Sequence, residues 1–280
     1  MSRTVVITGG NSGIGLEAAK ALTAQGDDVV LACRDLDRAR KAAPGMTVRE
    51  LDLTDLRSVS AFAAGTDKVD VLICNAGIMG GYLQFTEQGF ERQMGTNHLG
   101  HAALVAGLFP LLEQAQGRVV TISSIAARGG NLGPSMTHED LVSPVGYDPG
   151  KVYANTKQAN LLFAQELHRR VGDRVASVAA HPGVSWTNLF IRQMQEAGKG
   201  YLVPPLRVLG PLLFQSPKAG AAPTLRALDE PSGSFVGPKR FNQYRGPAEL
   251  LDVYPTGADR ATAARLWELT EQIIEIPLPL

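Results

Sequence analysis

Cysteine is nearly absent: Cys33 and Cys74 are the only two in 280 residues. Two thiols in a chain of this length make no disulfide framework, and their spacing fits no zinc motif. An excess of one charge is also missing, with Lys+Arg and Asp+Glu at 27 each. Nothing basic is left over to hold a phosphate backbone, which argues against nucleic acid as a partner. Long hydrophobic runs are missing too. No stretch reaches the roughly 18 apolar residues of a membrane span. The start, MSRTVVIT, leads almost directly into a strand pattern with no signal-type cleavage site. A soluble cytoplasmic chain without a transmembrane segment is expected. Repeats, low-complexity tracts and interdomain linkers are lacking, so a single domain over 1–280 is the economical reading.

What is present is a packable core, with 44% hydrophobic and 19% charged residues. Short apolar runs alternate with longer helical patterns. Strands are predicted at TVVIT (4–8), DVVLAC (28–33), VRELDL (48–53), VDVLIC (69–74), RVVTIS (118–123) and VASVAAH (175–181), with SFVG (234–237) as a weaker seventh. Most lack polar alternation, as strands buried on both faces of a parallel sheet do. Helices are predicted over 13–25, 90–114, 152–171 and about 258–275. In the third, Ala159, Phe163, Leu167 and Val171 form an i,i+4 apolar ladder. Repeated strand-then-helix order implies right-handed crossovers and a doubly wound α/β sheet of about seven parallel strands.

Two segments break that rhythm. Residues 125–150, rich in Gly, Pro and Ser, read as a long loop. Residues 188–233 contain YLVPPLRVLGPLLF, apolar but interrupted by proline. Such a segment either lines or covers a pocket, or forms a surface hairpin with a small core of its own.

TGGNSGIG (8–15) sits between the first strand and the first helix. Glycines at 9, 13 and 15 allow a tight turn that brings backbone amides close to a diphosphate, and the helix N-terminus adds free N–H groups. The second strand ends at Ala32-Cys33-Arg34, near where an adenosine ribose would lie. Arg34 there would pair with a 2′-phosphate, which favours NADP(H), although Asp35 follows and NAD(H) stays possible. Asp52, in Leu51-Asp52-Leu53, would accept a hydrogen bond from an adenine amino group. Asn75-Ala76-Gly77 ends the fourth strand with residues small enough for close approach to a ribose or an adenine. In a sheet ordered 3-2-1-4-5, Cys33 and Cys74 would stand about two strand spacings apart, too far for a disulfide.

The stretch VYANTK (152–157) sets Tyr153 and Lys157 one turn apart on a helix face, about 40° around the axis. Alone, that pair could be surface decoration. With TGGNSGIG, Asp52-Leu53, NAG, Asn97 in TNHLGH, Ser124 in TISS, and HPG (181–183) followed by Thr187, the chain resembles the short-chain dehydrogenase/reductase family. These elements occur in the family's order from residue 8 to 187. FERQMGTNHLGHAALV, YANTKQANLLF and the long Ser124-to-Tyr153 gap are most similar to its retinol-dehydrogenase-like branch.

The resemblance implies a Rossmann-type fold, a cofactor-binding and catalytic core over about 1–187, and a substrate-binding segment at about 188–233. It implies a catalytic tetrad of Asn97, Ser124, Tyr153 and Lys157. Tyr153 would exchange the proton, and a nearby Lys157 ammonium would lower the phenol's ordinary pKa of about 10. Ser124 would donate to the substrate oxygen. Neighbouring strand residues face opposite ways, so only one of Ser123 and Ser124 is expected at the site. Asn97 would hold a water in a proton relay. The dinucleotide would be held by Thr8, Gly9, Asn11, Ser12, Gly13, Ile14, Gly15, Arg34, Asp52, Leu53, Asn75, Ala76, Gly77, Tyr153, Lys157, Pro182, Gly183, Val184 and Thr187.

His98 and His101 form H-x-x-H on a helix, but no third ligand follows in pattern, so core or surface roles are expected and no metal site. His181 is expected to be structural. The combined expectation is an NADP(H)-dependent oxidoreductase acting on a small-molecule alcohol or carbonyl substrate, apolar in character. A homodimer or homotetramer through the helices bearing Asn97 and Tyr153 would follow from the same resemblance. The alternatives are a non-catalytic NADP-binding sensor and a nucleotide-sugar epimerase, whose glycine spacing is usually TGxxGxxG rather than the TGxxxGxG found here.

Overall fold

The computed structural model describes residues 2–185 and 214–280, with 191, 194, 198 and 201 between them. Alternating apolar segments give β1 (Thr4–Thr8), α1 (Gly13–Ala24), β2 (Asp28–Cys33), α2 (Leu36–Ala42), β3 (Thr47–Glu50), α3 (Leu56–Ala64) and β4 (Val71–Cys74). The next helix is compound: α4 (Arg92–Met94), a π-helical turn (Gly95–Leu99) and α5 (Gly100–Gln114). β5 (Arg118–Ile122), α6 (His138–Val142), α7 (Pro149–Val171) and β6 (Ala176–Ala180) follow, then α8 (Pro217–Arg226), β7 (Phe235–Arg240), β8 (Arg245–Leu251), α9 (Pro255–Ala258) and α10 (Arg260–Ile274).

The strands form one sheet of order β3-β2-β1-β4-β5-β6-β7-β8, parallel except for β7–β8. Val6 pairs with Val30 on one side and Leu72 on the other. Side chains alternate between two cores, as strand geometry requires. Val6, Leu72 and Cys74 face a core shared with α5, α7 and α10; Val5, Ile7 and Ile73 face the other, shared with α1. Both cysteines are buried and free.

Four expectations need correction. VRELDL stops pairing at Glu50, because Asp52 turns the chain: its Oδ1 accepts from the Thr54 N–H and hydroxyl. An eighth strand, β8, was not anticipated; its Gly246 and Pro247 hide the strand pattern, and a sheet edge tolerates both. The 125–150 segment is not simply a loop. It contains a 3₁₀ turn (Ile125–Gly129) and α6, whose start is closed by a Thr137/Asp140 capping box. The predicted helix at 152 begins three residues earlier, with Pro149 in its first turn and Asp148 accepting from Gly150 and Lys151 N–H.

α7 is buried on nearly all sides within one chain, as is the first half of α5. Part of that cover is α10. Trp267 stacks on Phe163 at 5.2 Å between centroids, Arg170 lies over the same indole, and His98 Nε2 meets the Thr270 hydroxyl at 2.9 Å. Among the described residues no helix is long and apolar enough to cross a membrane.

Candidate active site

The C-terminal ends of the parallel strands open into a cleft of about 650 Å³. At its base the chain leaves β1 through a turn that only glycine suits. Gly9 and Gly13 have φ of 66° and 57°. A Cβ on Gly9 would lie 3.0 Å from Ala76, and one on Gly15 would lie 2.4 Å from Asn75 Nδ2. Ser12 caps α1 without a side-chain bond, and the first turn carries no acid. The first amides of α1 therefore keep their capacity for an anion. Asn11, Ser12, Ile14 and Gly15 line the same cleft. A diphosphate-bearing dinucleotide fits this cradle, where Gly9 and Gly15 approach the β4 turn too closely for a side chain and Gly13 needs its positive φ.

Beyond the end of β2, the Arg34 side chain is 64% exposed, with Nη1 3.9 Å from Asp52 Oδ2. Asp35 does not compete for a ribose: its Oδ1 caps α2 by accepting from the Arg38 N–H at 2.9 Å. Arg38 lines the cleft beside Arg34, a second guanidinium that the sequence reading missed. Its position one turn into a short capped helix was the available signal. Asp52 and Leu53 also line the cleft.

At the end of β4, Asn75, Ala76 and Gly77 reach the cleft. They are shaped from behind by Thr8, whose hydroxyl accepts from the Asn75 and Ala76 N–H groups, each at 2.9 Å. This corrects the assignment of Thr8 to the cofactor wall. Thr8 is fully buried, and it acts on the wall through the turn it supports.

Three of the four expected catalytic side chains meet. Ser124 lies two residues past the end of β5, its Oγ accepting from the Ala126 N–H at 3.2 Å, and it stands close enough to the Tyr153 phenol to favour its ionised form. Lys157 lies one helical turn beyond, its Nζ 5.8 Å from the Tyr153 ring centre and donating to the Ile122 carbonyl at 3.0 Å. Ser124, Tyr153 and Lys157 all line the cleft. Ser123 faces away from it at the hydroxyl, donating to the Lys157 main-chain carbonyl at 2.7 Å. Burial pushes the Tyr153 phenol up to about 12, against the opposing effect of Ser124, and pushes Lys157 down to about 8. The lowering of the phenol expected from Lys157 is therefore not a property of the protein alone. Desolvation disfavours both charged forms and is the largest cause of both shifts.

Asn97 is the fourth, and it stands behind the wall rather than on it. It is fully buried in the π turn. Its Oδ1 accepts from Ile78 N–H at 2.8 Å, and its Nδ2 donates to the Ile78 carbonyl at 2.9 Å and the Thr156 hydroxyl at 3.0 Å. Thr156 donates in turn to the Tyr153 carbonyl at 2.8 Å. Asn97 thus ties the β4 loop to the turn of α7 that carries Tyr153. Thr156, absent from the sequence reading, completes this link.

Pro182, Gly183 and Val184 line the far wall with Ser185. Gly183 adopts φ 66°, and its N–H donates to His181 Nδ1 at 3.2 Å. Thr187 and nearly all of the 188–213 stretch lie outside the described residues. Ile78, Met79, Arg92 and Ile125 also line the cleft and were not anticipated.

A family model described as short chain dehydrogenase matches residues 3–136. Retinol dehydrogenase 14 of Homo sapiens is 35% identical over 97% of this chain and 86% of its own length. Retinol dehydrogenase 12 of Homo sapiens is 34% identical over 98% of this chain and 87% of its own. Among solved structures, an uncharacterised protein from Mycobacterium Paratuberculosis superposes with a TM-score of 0.81 at 41% identity, covering 99% of this chain and 95% of that one.

Proposed function

Because the chain belongs to the short-chain dehydrogenase/reductase family, in its retinol-dehydrogenase-like branch, and is an NAD(P)-dependent oxidoreductase, we propose that it uses NADP(H) to interconvert an alcohol and an aldehyde or ketone of apolar character, with Tyr153 and Lys157 as the acid/base pair. The observation that carries this reading is the meeting of Ser124, Tyr153 and Lys157 in the same cleft as the glycine turn.

When bound, the dinucleotide supplies the hydride. The turn from Gly9 to Gly15 would hold its diphosphate, and Asp52 its adenine amino group. Arg34 and Arg38 would hold a 2′-phosphate, which is why NADP(H) is preferred over NAD(H). Asn75 to Gly77 and Lys157 would face its ribose hydroxyls, with Pro182 to Val184 and Thr187 on the carboxamide side. In the direction of reduction, the substrate oxygen takes the phenol proton of Tyr153. Burial keeps that proton in place until it is needed. Ser124 donates a hydrogen bond to the oxygen as charge builds there. Asn97 holds Tyr153 in register through Thr156 rather than touching substrate.

The apolar substrate class rests on Ile78, Met79 and Ile125 in the wall, and on the composition of 188–233. The test is purified protein with NADPH and a panel of carbonyls, following loss of NADPH absorbance. Absence of turnover across apolar aldehydes and ketones would sink the proposal. A cytoplasmic location belongs to it as well, and cell fractionation tests it. Assembly is proposed in a narrower form than the resemblance implied. The helices bearing Asn97 and Tyr153 are already covered within one chain, so the chain acts as a single copy or pairs through another surface.

A further inference from the structure

His101 takes no part in the reading above, yet it is buried between two of its elements. Its Nε2 lies 2.8 Å from the Thr8 hydroxyl, and its Nδ1 lies 3.0 Å from the main-chain oxygen of Asn97. The hydrogen positions follow from counting. A threonine hydroxyl has one proton to give and two lone pairs to receive with. Thr8 already receives from Asn75 and Ala76 N–H. Its proton has two candidate acceptors: the Ile73 carbonyl at 3.4 Å and His101 Nε2 at 2.8 Å. The shorter contact is the hydrogen bond. Nε2 is therefore the acceptor, and the imidazole carries its proton on Nδ1, where Asn97 O receives it.

We propose that His101, neutral and protonated on Nδ1, is a positioning residue that couples the cofactor turn to the catalytic helices. One side of the ring fixes the Thr8 hydroxyl, and through it the Asn75–Ala76 turn. The other side fixes the Asn97 backbone, whose side chain holds Ile78 and Thr156. Gly77 passes directly over this link: a Cβ there would lie 3.3 Å from Asn97 Oδ1 and 3.5 Å from Lys157 Nζ. A shift of either end thus moves the strip of chain between dinucleotide and tetrad. Burial, which drives the imidazole pKa down to about 4, agrees with a ring that stays neutral.

Three variants separate the two ends. His101→Gln can still accept from Thr8 but loses the donor to Asn97. His101→Asn can still donate to Asn97 but loses Thr8. His101→Phe loses both. If the coupling matters, each folded variant loses kcat on the order of tenfold or more, with KM for the carbonyl little changed, and Thr8→Val does the same while Thr8→Ser restores activity. Independently of turnover, long-range proton–nitrogen NMR of the wild-type chain should show Nδ1 protonated and Nε2 bare. A wild-type ring protonated on Nε2, or a folded His101→Phe with unaltered kcat and dinucleotide affinity, overturns the proposal. The kinetic comparison rests on the oxidoreductase reading. If the wild-type chain turns over no carbonyl, that reading fails, and the NMR result still decides this one.

Discussion

The Ser123 hydroxyl donates to the main-chain carbonyl of Lys157 at 2.7 Å, so the residue beside Ser124 fixes the register of α7 against β5. Adjacent serines divide the work: one holds the helix that carries the acid, and the other meets the acid. This division follows from strand alternation, which sends neighbouring side chains to opposite faces.

Removing the phenol is the sharpest test of the acid. Tyr153→Phe keeps the ring and its packing. Turnover should fall at least 10²- to 10⁴-fold, the usual worth of a positioned acid or base. NADPH affinity, measured by fluorescence titration, should stay within a few-fold. Retained turnover would remove Tyr153 from its role.

Arg34 and Arg38 should set the choice of dinucleotide. Each charge-assisted bond to a 2′-phosphate is worth about 1.5–3 kcal/mol. Arg34→Ala should therefore weaken NADPH about tenfold or more and leave NADH nearly unchanged. Arg34→Ala/Arg38→Ala should abolish the preference. Equal losses for the two dinucleotides in calorimetric titration would count against the assignment.

Acid should destabilise this fold through its buried histidines. Burial lowers His98 to about 3 and His101 and His181 to about 4, from 6.5. As pH falls below 6.5 the unfolded chain binds protons that the folded chain refuses. Stability therefore drops, by up to about 1.4 kcal/mol per pH unit for each histidine. Their full contribution is present above pH 6.5. Urea unfolding at pH 7, 6 and 5 measures it, and a free energy that stays flat over that range contradicts the burial argument.

The α10 cover can be tested by truncation. Trp267 is 2% exposed and stacked on Phe163. Trp267→Ala should cost about 3–5 kcal/mol of stability. Trp267→Phe should cost less, since among the described residues the indole N–H finds no hydrogen-bond partner and its removal leaves none of them unpaired. Sedimentation of the wild-type chain should give the mass of one copy, or of a pair that substitutions on α5 and α7 leave intact. A dimer dissociated by substitutions on α5 and α7 would reverse the assembly proposal.

How much of this was legible in sequence differs by element. β1, β2 and the glycine turn are local: apolar runs and a short-range steric demand specify them, and they appear where expected. The Tyr153–Lys157 relation is also local, being one turn of a helix. Features that depend on distant partners were hidden. Nothing in TNHLGH says that Gly95–Leu99 adopts a π turn, or that His101 reaches across to Thr8, which lies 93 residues away. Thr8 was read as facing the dinucleotide, and Asn97 as holding a relay water, because of the motifs they sit in. Only the packed structure puts them one layer behind the cleft wall, where their polar groups bond to backbone and to the buried side chains of His101 and Thr156. Arg38 and Thr156 were missed because each acts through a helical position with no composition signal of its own.

The sheet's last strand has a consequence for the protein's life at high concentration. A parallel sheet that ended on β7 would present a regular row of amides and carbonyls to any passing strand. Instead the hairpin turns back through Phe241, Asn242 and Gln243, all at positive φ, and its return strand carries Gly246 and Pro247. Pro247 is solvent-exposed and has no N–H to offer. The row is interrupted where fibre-like growth would begin, so the fold protects its own border from templated aggregation.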